Sequence, residues 1–239
     1  MDNSERIATE SAVAWVADRQ FVMDMLQRGD VPAHITEIAA ASEMTRTGQI
    51  GMSFGGSTTG ALCMIDRRCA AGINLDGLNF HMVAFDARMP VPFLMLHADL
   101  RHFQRRFAEA SDVSLLSPNQ FSYEKLDQAG QSPDIRRLQI NGARHMGFTD
   151  FSLFVRRPLR DLILGKAGPE IMLTAQNDMI RHFFDSVLRG GERFDGNAES
   201  GSLTALNNGL VRDWWQALPD ARRQALDAEI MGMKARQPK

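Results

Sequence analysis

Apolar residues recur along this chain in two patterns: short runs of strand length and longer stretches with helical spacing. The two kinds of segment alternate up to about residue 190. Strands that alternate with helices predict an α/β fold with a mainly parallel sheet. The predicted strands are 50–52, 70–75, 91–96 and 138–145, and the predicted helices are 4–29, 54–67 and 169–188.

The last part of the chain has a different pattern. Residues 192–207 are polar, and we expect a loop there. Residues 210–236 have the spacing of one or two amphipathic helices. The sequence therefore predicts a main α/β unit at 1–191, followed at 192–239 by a polar linker and a helical extension.

Composition and charge argue against several classes of function. The 239 residues suffice for one domain, and 44% hydrophobic with 23% charged residues is typical of a globular protein. A net charge of −2 and a pI near 6.3 create no field that would attract nucleic acid or an anionic membrane. No apolar run approaches the ~20 residues of a transmembrane helix. The first residues, MDNSERIATES, lack the pattern of a signal peptide, so we expect a cytoplasmic protein if Met1 is the natural start.

The chain has two cysteines, Cys63 and Cys69. They lie in a predicted helix and just before a predicted strand, without a further Cys or His pair at zinc spacing. We therefore expect reduced thiols rather than a disulfide, and no metal site.

The segment Gly51-Met52-Ser53-Phe54-Gly55 has the form G-x-S-x-G and lies between a predicted strand and a predicted helix. This is the setting of a nucleophile elbow, a sharp turn that projects a serine hydroxyl into a cleft. Ser53 is therefore the candidate nucleophile, with Gly51 and Gly55 as the elbow glycines. The N–H of Phe54, at the helix start, could donate to an oxyanion.

A serine hydroxyl needs a base, and the base needs an orienting acid, in the chain order Ser, Asp or Glu, His. Two aspartates, Asp76 and Asp99, follow predicted strands, where a parallel sheet presents its active edge. His145 ends a predicted strand between two glycines, Gly142 and Gly147, and is the candidate base. These criteria leave both acids open.

Four segments resemble the plasma-type platelet-activating-factor acetylhydrolases and their bacterial esterase relatives, a family of α/β-hydrolases. The segments are GMSFGGSTTG, CAAGINLDGLNF, MPVPFLMLHADL and GARHMGFTDFSLF, and the resemblance spans roughly residues 10–190. It implies the α/β-hydrolase fold and a serine carboxylic-ester hydrolase acting on a short-chain acyl ester or an acetylated phospholipid. The implied mechanism is a Ser-His-Asp triad with an acyl-enzyme and no metal or organic cofactor, and the implied partner is a small-molecule ester or lipid substrate.

The resemblance also chooses between the acids. Leu75-Asp76-Gly77 matches the L-D-[AG] setting of that family's acid and favours Asp76. Esterases of the cutinase and dienelactone-hydrolase type place the acid after the next strand, which leaves Asp99 as the alternative. Met52 stands where the family usually has histidine, which implies a changed specificity.

One part of the family's fold has no counterpart in this sequence. The resemblance implies four strands and a helix before the elbow strand, whereas the corresponding stretch here is mostly the predicted helix at 4–29. We therefore expect an N-terminally truncated sheet of about four strands, with an exposed edge through which the chain could form a homo-oligomer. The alternative function is a catalytically impaired remnant that needs a partner or self-association.

Overall fold

A computed structural model of the protein describes residues 3–85, 87–99, 118–124, 134–194, 202–206 and 208–235. Helices cover both faces of a single sheet, as the alternating pattern predicts. The strands are β1 (Thr47–Met52), β2 (Cys69–Leu75), β3 (Phe93–His97), β4 (Ile135–Ile140) and β5 (Leu203–Leu206). The α-helices are α1 (Asn3–Arg28), α2 (Thr36–Ala41), α3 (Phe54–Ile65), α4 (Phe151–Phe154), α5 (Leu159–Ile163), α6 (Pro169–Leu188), α7 (Asn208–Ala217) and α8 (Asp220–Lys234).

The strand order in the sheet is β1-β2-β3-β4-β5, with the first four strands parallel and β5 antiparallel to β4. Met52 pairs with Leu75, and Leu75 pairs with Leu96, so the first three strands end almost in register. Because parallel strands run in one direction, the loops that follow them gather at one edge of the sheet. The candidate site residues follow the ends of these strands.

The described sheet has five strands where about four were expected, and the loop expected at 192–207 contains the fifth. Leu203–Leu206 pairs with β4 inside the stretch 192–207, for which a loop was predicted. Four residues in a polar stretch carry too weak a local signal, and β5 forms because the edge of β4 accepts a partner. The division at residue 191 stays a prediction.

The sheet separates two layers of core. On one face, Ile73 and Leu96 pack with Phe183 of α6. On the other face, Phe93 packs in a cluster that also contains Ile230 of α8. Strands buried on both faces read as nearly continuous apolar runs, which is why β2 and β3 stand out in the sequence.

The expectation of reduced thiols was also wrong, because a disulfide joins Cys63 to Cys69. The helix α3 ends at Ile65 and the chain turns back into β2, which places the two Cα atoms 5.0 Å apart. This separation lies within the usual range for a disulfide. Spacing in the sequence could not show that the turn is this tight.

Strand β1 lies at one edge of the sheet and, within the described ranges, pairs with β2 alone. The helix α1 packs against α3 through Val16 and Met23. Ile50 on β1 is 39% exposed, and Phe21 and Val22 on α1 are more exposed still. The part of the protein nearest this edge therefore presents apolar side chains to solvent.

None of the described helices has the length and hydropathy to cross a bilayer.

Candidate active site

Ser53 occupies the turn between β1, which ends at Met52, and α3, which begins at Phe54. Its backbone has φ 55° and ψ −123°, a conformation that costs a non-glycine residue free energy. The Ser53 N–H donates to the carbonyl oxygen of Leu75 at 2.9 Å, and the Ser53 carbonyl oxygen accepts from Gly56 and Ser57 in the helix. Hydrogen bonds thus hold both backbone polar groups of Ser53 in place.

The two elbow glycines differ in the space around them. A Cβ atom on Gly51 would overlap the carbonyl oxygen of Gly55, whereas a Cβ on Gly55 would lie 3.7 Å from its nearest neighbour, Nη2 of Arg19. Close approach of strand and helix therefore requires glycine at position 51. At position 55 it does not, although the sequence pattern treats the two glycines alike.

We expect Gly51→Ala to lower the free energy of unfolding by about 1–3 kcal/mol, because the elbow backbone must move to admit a methyl group. Gly55→Ala is the matched control: it places alanine in a helix with room for it and should raise that free energy by up to ~1 kcal/mol. Urea denaturation of the two variants measures both values. Equal stability in the two variants would contradict this account of the elbow.

The candidate base lies close to Ser53. His145 begins a short 3₁₀ helix, His145–Phe148, soon after β4. Its Nε2 is 2.9 Å from Ser53 Oγ, across 92 residues of sequence, and its Nδ1 is 2.7 Å from Asp76 Oδ2, across 69 residues. The structure thus brings Ser53, His145 and Asp76 into one hydrogen-bonded series. The side chain of His145 remains 44% exposed.

Asp76 follows β2 directly and has φ 53°, a left-handed backbone that aims its side chain across the end of the sheet. Oδ1 accepts a hydrogen bond from the N–H of Ala98 at 2.8 Å, which leaves Oδ2 for His145. The hydrogen bond to this carboxylate raises the pKa of His145, and partial burial of the ring opposes the rise.

Asp99, the other candidate acid, is buried, and its carboxylate binds the backbone of the loop after β4. Its Oδ2 accepts from the N–H of Gly142 at 2.6 Å, and its own N–H donates to the carbonyl of Ala143 at 3.0 Å. Asp99 therefore ties the end of β3 to the loop that carries His145. The carboxylate within hydrogen-bond distance of His145 Nδ1 is that of Asp76.

A second histidine, His97, ends β3 close to Asp76. Burial lowers the pKa of His97 to about 4, against the opposing effect of the Asp76 charge. His97 is therefore neutral at pH 7.

The oxyanion candidate, Phe54, is the first residue of α3. The first N–H groups of a helix have no acceptor within that helix, and the positive end of the helix dipole lies there. The Phe54 ring packs edge-on against Trp15 of α1, at 4.8 Å between centroids, and stacks on Phe80 at 5.4 Å. Sequence reasoning missed this aromatic row because its members come from three separate segments.

Sequence reasoning also missed a set of buried polar residues beneath Asp76, which includes Asn74 on β2 and Tyr123. An asparagine inside the apolar run AAGINL was the available signal. In the described part of the chain, no group of three His, Cys, Asp or Glu residues could hold a metal ion.

Comparison with known proteins finds structural similarity without similarity to a family model. No protein-family model matches the sequence, and no curated protein matches it. The solved structure of a ferulic acid esterase from Streptomyces cinnamoneus matches over 84% of this chain, with a TM-score of 0.57 and 24% identity. The chain has the α/β-hydrolase fold. It spans 56% of the length of that esterase chain. Membership of the platelet-activating-factor acetylhydrolase family, and the absence of an N-terminal half, stay predictions.

Proposed function

We propose that this protein hydrolyses carboxylic esters through a Ser53-His145-Asp76 triad. The observation that carries the proposal is the series of two hydrogen bonds, 2.9 Å from Ser53 Oγ to His145 Nε2 and 2.7 Å from His145 Nδ1 to Asp76 Oδ2. The strained backbone of Ser53 is a second support, because such residues cluster at active sites. The fold it shares with a ferulic acid esterase is a third.

In the proposed reaction, Ser53 Oγ attacks the ester carbonyl carbon while His145 Nε2 takes the serine proton. The carbonyl oxygen becomes an oxyanion, which accepts a hydrogen bond from the Phe54 N–H. His145 returns its proton to the departing alcohol oxygen, leaving Ser53 acylated. Water, losing a proton to His145 Nε2, then attacks the acyl carbon. The bond from that carbon to Ser53 Oγ breaks, His145 returns the proton to Oγ, and the carboxylic acid leaves. Asp76 holds the imidazole in the required tautomer and stabilises its charged form.

The substrate we propose is a small-molecule ester or lipid with a short acyl chain, such as an acetylated phospholipid. The resemblance of the elbow, acid and histidine segments to the acetylhydrolases supports it. The structural match to a ferulic acid esterase supports ester hydrolysis with another kind of acyl group. Comparing kcat/KM for p-nitrophenyl acetate, an acetylated phospholipid and a ferulate ester separates these substrates.

Labelling with a fluorophosphonate probe tests the proposed nucleophile. We expect the folded protein to gain one adduct, found by peptide mass spectrometry at Ser53, and to lose p-nitrophenyl acetate turnover in proportion. Ser42→Ala, which changes an exposed serine at the end of α2, should label as the wild type does. The proposal would be contradicted if the probe did not label Ser53 in the folded wild-type protein.

The pH dependence of hydrolysis should report His145. The base must be neutral, and contact with Asp76 raises its pKa, so kcat/KM should fall as the pH drops through a value above the ordinary histidine pKa. The same contact stabilises the folded protein below the pKa of His145 in the unfolded chain, and that stabilisation is lost as the pH rises through the raised pKa. A pH–rate profile and urea denaturation at several pH values measure both effects. A rate that increases on acidification through this range would contradict the assignment of His145.

A second candidate function is suggested by the edge strand β1. We propose that the isolated chain is catalytically impaired and that two copies associate through this edge. Within the described ranges β1 pairs with β2 alone, and the side chain of Ile50 on this strand is 39% exposed. In the full fold of the α/β-hydrolases that the sequence resembles, a second oxyanion donor comes from the loop after the third strand. A site without one such donor loses about 10²–10³ in kcat.

Multi-angle light scattering over a range of concentrations tests this association. We expect a dimer that Ile50→Lys converts to monomer, whereas Ile38→Lys on the exposed face of α2 should leave the dimer intact. A compact monomer with full turnover of p-nitrophenyl acetate would rule out the second candidate and leave the first.

A further inference from the structure

The acid loop, residues 76–80, rests on a buried polar network that we call the Asn74 network: Asn74, Asn79, Asn119 and Tyr123. We propose that Asn74 and Tyr123 are positioning residues, which hold Asp76 in the conformation that reaches His145. This inference rests on the proposed function and adds to it the residues that set the geometry of the acid.

Asn74 holds the chain immediately after Asp76 from two directions. Its Oδ1 accepts from the N–H of Gly77 at 2.7 Å, and its Nδ2 donates to the carbonyl oxygen of the same residue at 3.0 Å. Both backbone polar groups of Gly77 are therefore bound by one side chain, which is only 1% exposed. On the other side of Asp76, its own N–H donates to the carbonyl of Leu96 at 2.9 Å. The left-handed Asp76 is thus clamped on both sides.

Tyr123 extends the clamp to the far end of the loop. Its hydroxyl accepts from Asn74 Nδ2 at 3.3 Å and donates to Asn79 Oδ1 in a short hydrogen bond. Asn119 binds the backbone of Asn79, accepting from its N–H at 2.5 Å and donating to its carbonyl at 3.3 Å. The Phe80 N–H donates to Ser57 Oγ at 3.1 Å. Gly77, Asn79 and Phe80 are therefore hydrogen-bonded to β2, to residues 118–124 and to α3, respectively.

The network also connects the acid loop to the nucleophile elbow. A Cβ on Gly77 would overlap the carbonyl oxygen of Ser53, and a Cβ on Gly56 would overlap Asn74 Oδ1. Asn74 therefore lies directly between the loop that carries the acid and the first turns of α3. Moving it would shift the acid relative to Ser53 as well as to His145.

Buried hydroxyl and amide groups are costly unless they are hydrogen-bonded, so loss of one member changes the positions of the others. Without the Asn74 side chain, Gly77 loses both of its partners. Asp76 can then relax from its left-handed conformation, and Oδ2 withdraws from His145 Nδ1. The Tyr123 hydroxyl acts one step further away, through Asn79 and Asn74.

The test compares Asn74→Ala and Tyr123→Phe with the wild type. We expect kcat to fall by about 10²-fold in Asn74→Ala, the typical cost of a catalytic group displaced by ~1 Å, with KM unchanged within about threefold. Tyr123→Phe should have a smaller effect of the same kind. In both variants the pKa of His145, measured by NMR, should fall towards the ordinary histidine value because its contact with Asp76 weakens. Ser186→Ala on α6, which removes the acceptor for the Phe194 N–H on another part of the protein, should change neither value.

The two hypotheses fail in different ways. If the fluorophosphonate probe does not label Ser53 in the wild-type protein, the proposed function is contradicted. A fall in the pKa of His145 in the two variants would still support the positioning role of Asn74 and Tyr123. An unchanged His145 pKa and unchanged kcat in folded Asn74→Ala would overturn the positioning role while leaving the esterase intact. Should Asn74→Ala fail to fold, Tyr123→Phe, which removes a single oxygen atom, decides the question by the same two measurements.

Discussion

Ser53→Gly is expected to abolish ester hydrolysis and at the same time to stabilise the protein. Loss of the hydroxyl removes the nucleophile, and comparable triads lose on the order of 10⁶ in kcat when the serine is replaced. The backbone of Ser53, at φ 55° and ψ −123°, is one that glycine adopts without steric cost. Relief of the backbone strain should raise the free energy of unfolding, and the greater freedom of glycine in the unfolded chain should lower it by a smaller amount. We therefore expect a net rise of about 1 kcal/mol.

Ser53→Ala separates the two effects. It also lacks the hydroxyl, so its hydrolysis rate should match that of Ser53→Gly, but it keeps a Cβ and therefore keeps the strain. Turnover of p-nitrophenyl acetate and urea denaturation of both variants give the comparison. Activity that survives in either variant would remove Ser53 from the mechanism, and equal stability in both would show that the elbow is not strained.

Asp76→Asn should lower kcat by about 10⁴-fold, while Asp99→Asn should leave kcat within about threefold of the wild type. An amide at position 76 can offer its N–H to His145 Nδ1 and stabilise the tautomer that cannot take the serine proton, which is the known cost of this substitution in other triads. At position 99 an asparagine oxygen can still accept from the Gly142 N–H, so the loop that carries His145 keeps its anchor.

Measurement of kcat for both variants, with circular dichroism as the control for folding, decides between the two acids. The pH profile provides a second readout, because Asp76→Asn should also move the pKa of His145 downwards. Activity retained in Asp76→Asn but lost in Asp99→Asn would instead assign the acid to the strand after β2, as in the cutinase-type alternative.

The sheet explains why residues so far apart in the sequence lie together. Ser53 and Asp76 follow the adjacent parallel strands β1 and β2, and His145 follows β4. Ser53 and Asp76 come directly after their strands, and His145 begins the 3₁₀ helix that follows β4, so parallel alignment brings all three to one edge. The TM-score of 0.57 with a ferulic acid esterase shows that this arrangement of strands is shared beyond the present chain.

Much of the fold could be predicted because strands and helices leave local periodic signals. The helix at 169–188 was predicted with its observed bounds, and the elbow strand and α3 were placed within a few residues. The strand β5 and the disulfide between Cys63 and Cys69 were not predicted, and one reason explains both. Both depend on which segments meet in space, and neither leaves a period in the sequence.

The sequence by itself determined the α/β class, the G-x-S-x-G turn around Ser53, and the order in which two aspartates and His145 follow it. The resemblance had favoured Asp76 as the acid, and the tertiary structure has the Asp76 carboxylate within hydrogen-bond distance of His145. Tertiary structure alone showed that Gly51 rather than Gly55 lacks room for a side chain, and that Asn74 binds both backbone polar groups of Gly77 in the acid loop. The physical reason is the range of the interactions. Periodicity and turn residues are set by neighbours in the chain, whereas the hydrogen bonds of His145 cross 69 and 92 residues and exist only once the parallel strands have aligned their ends.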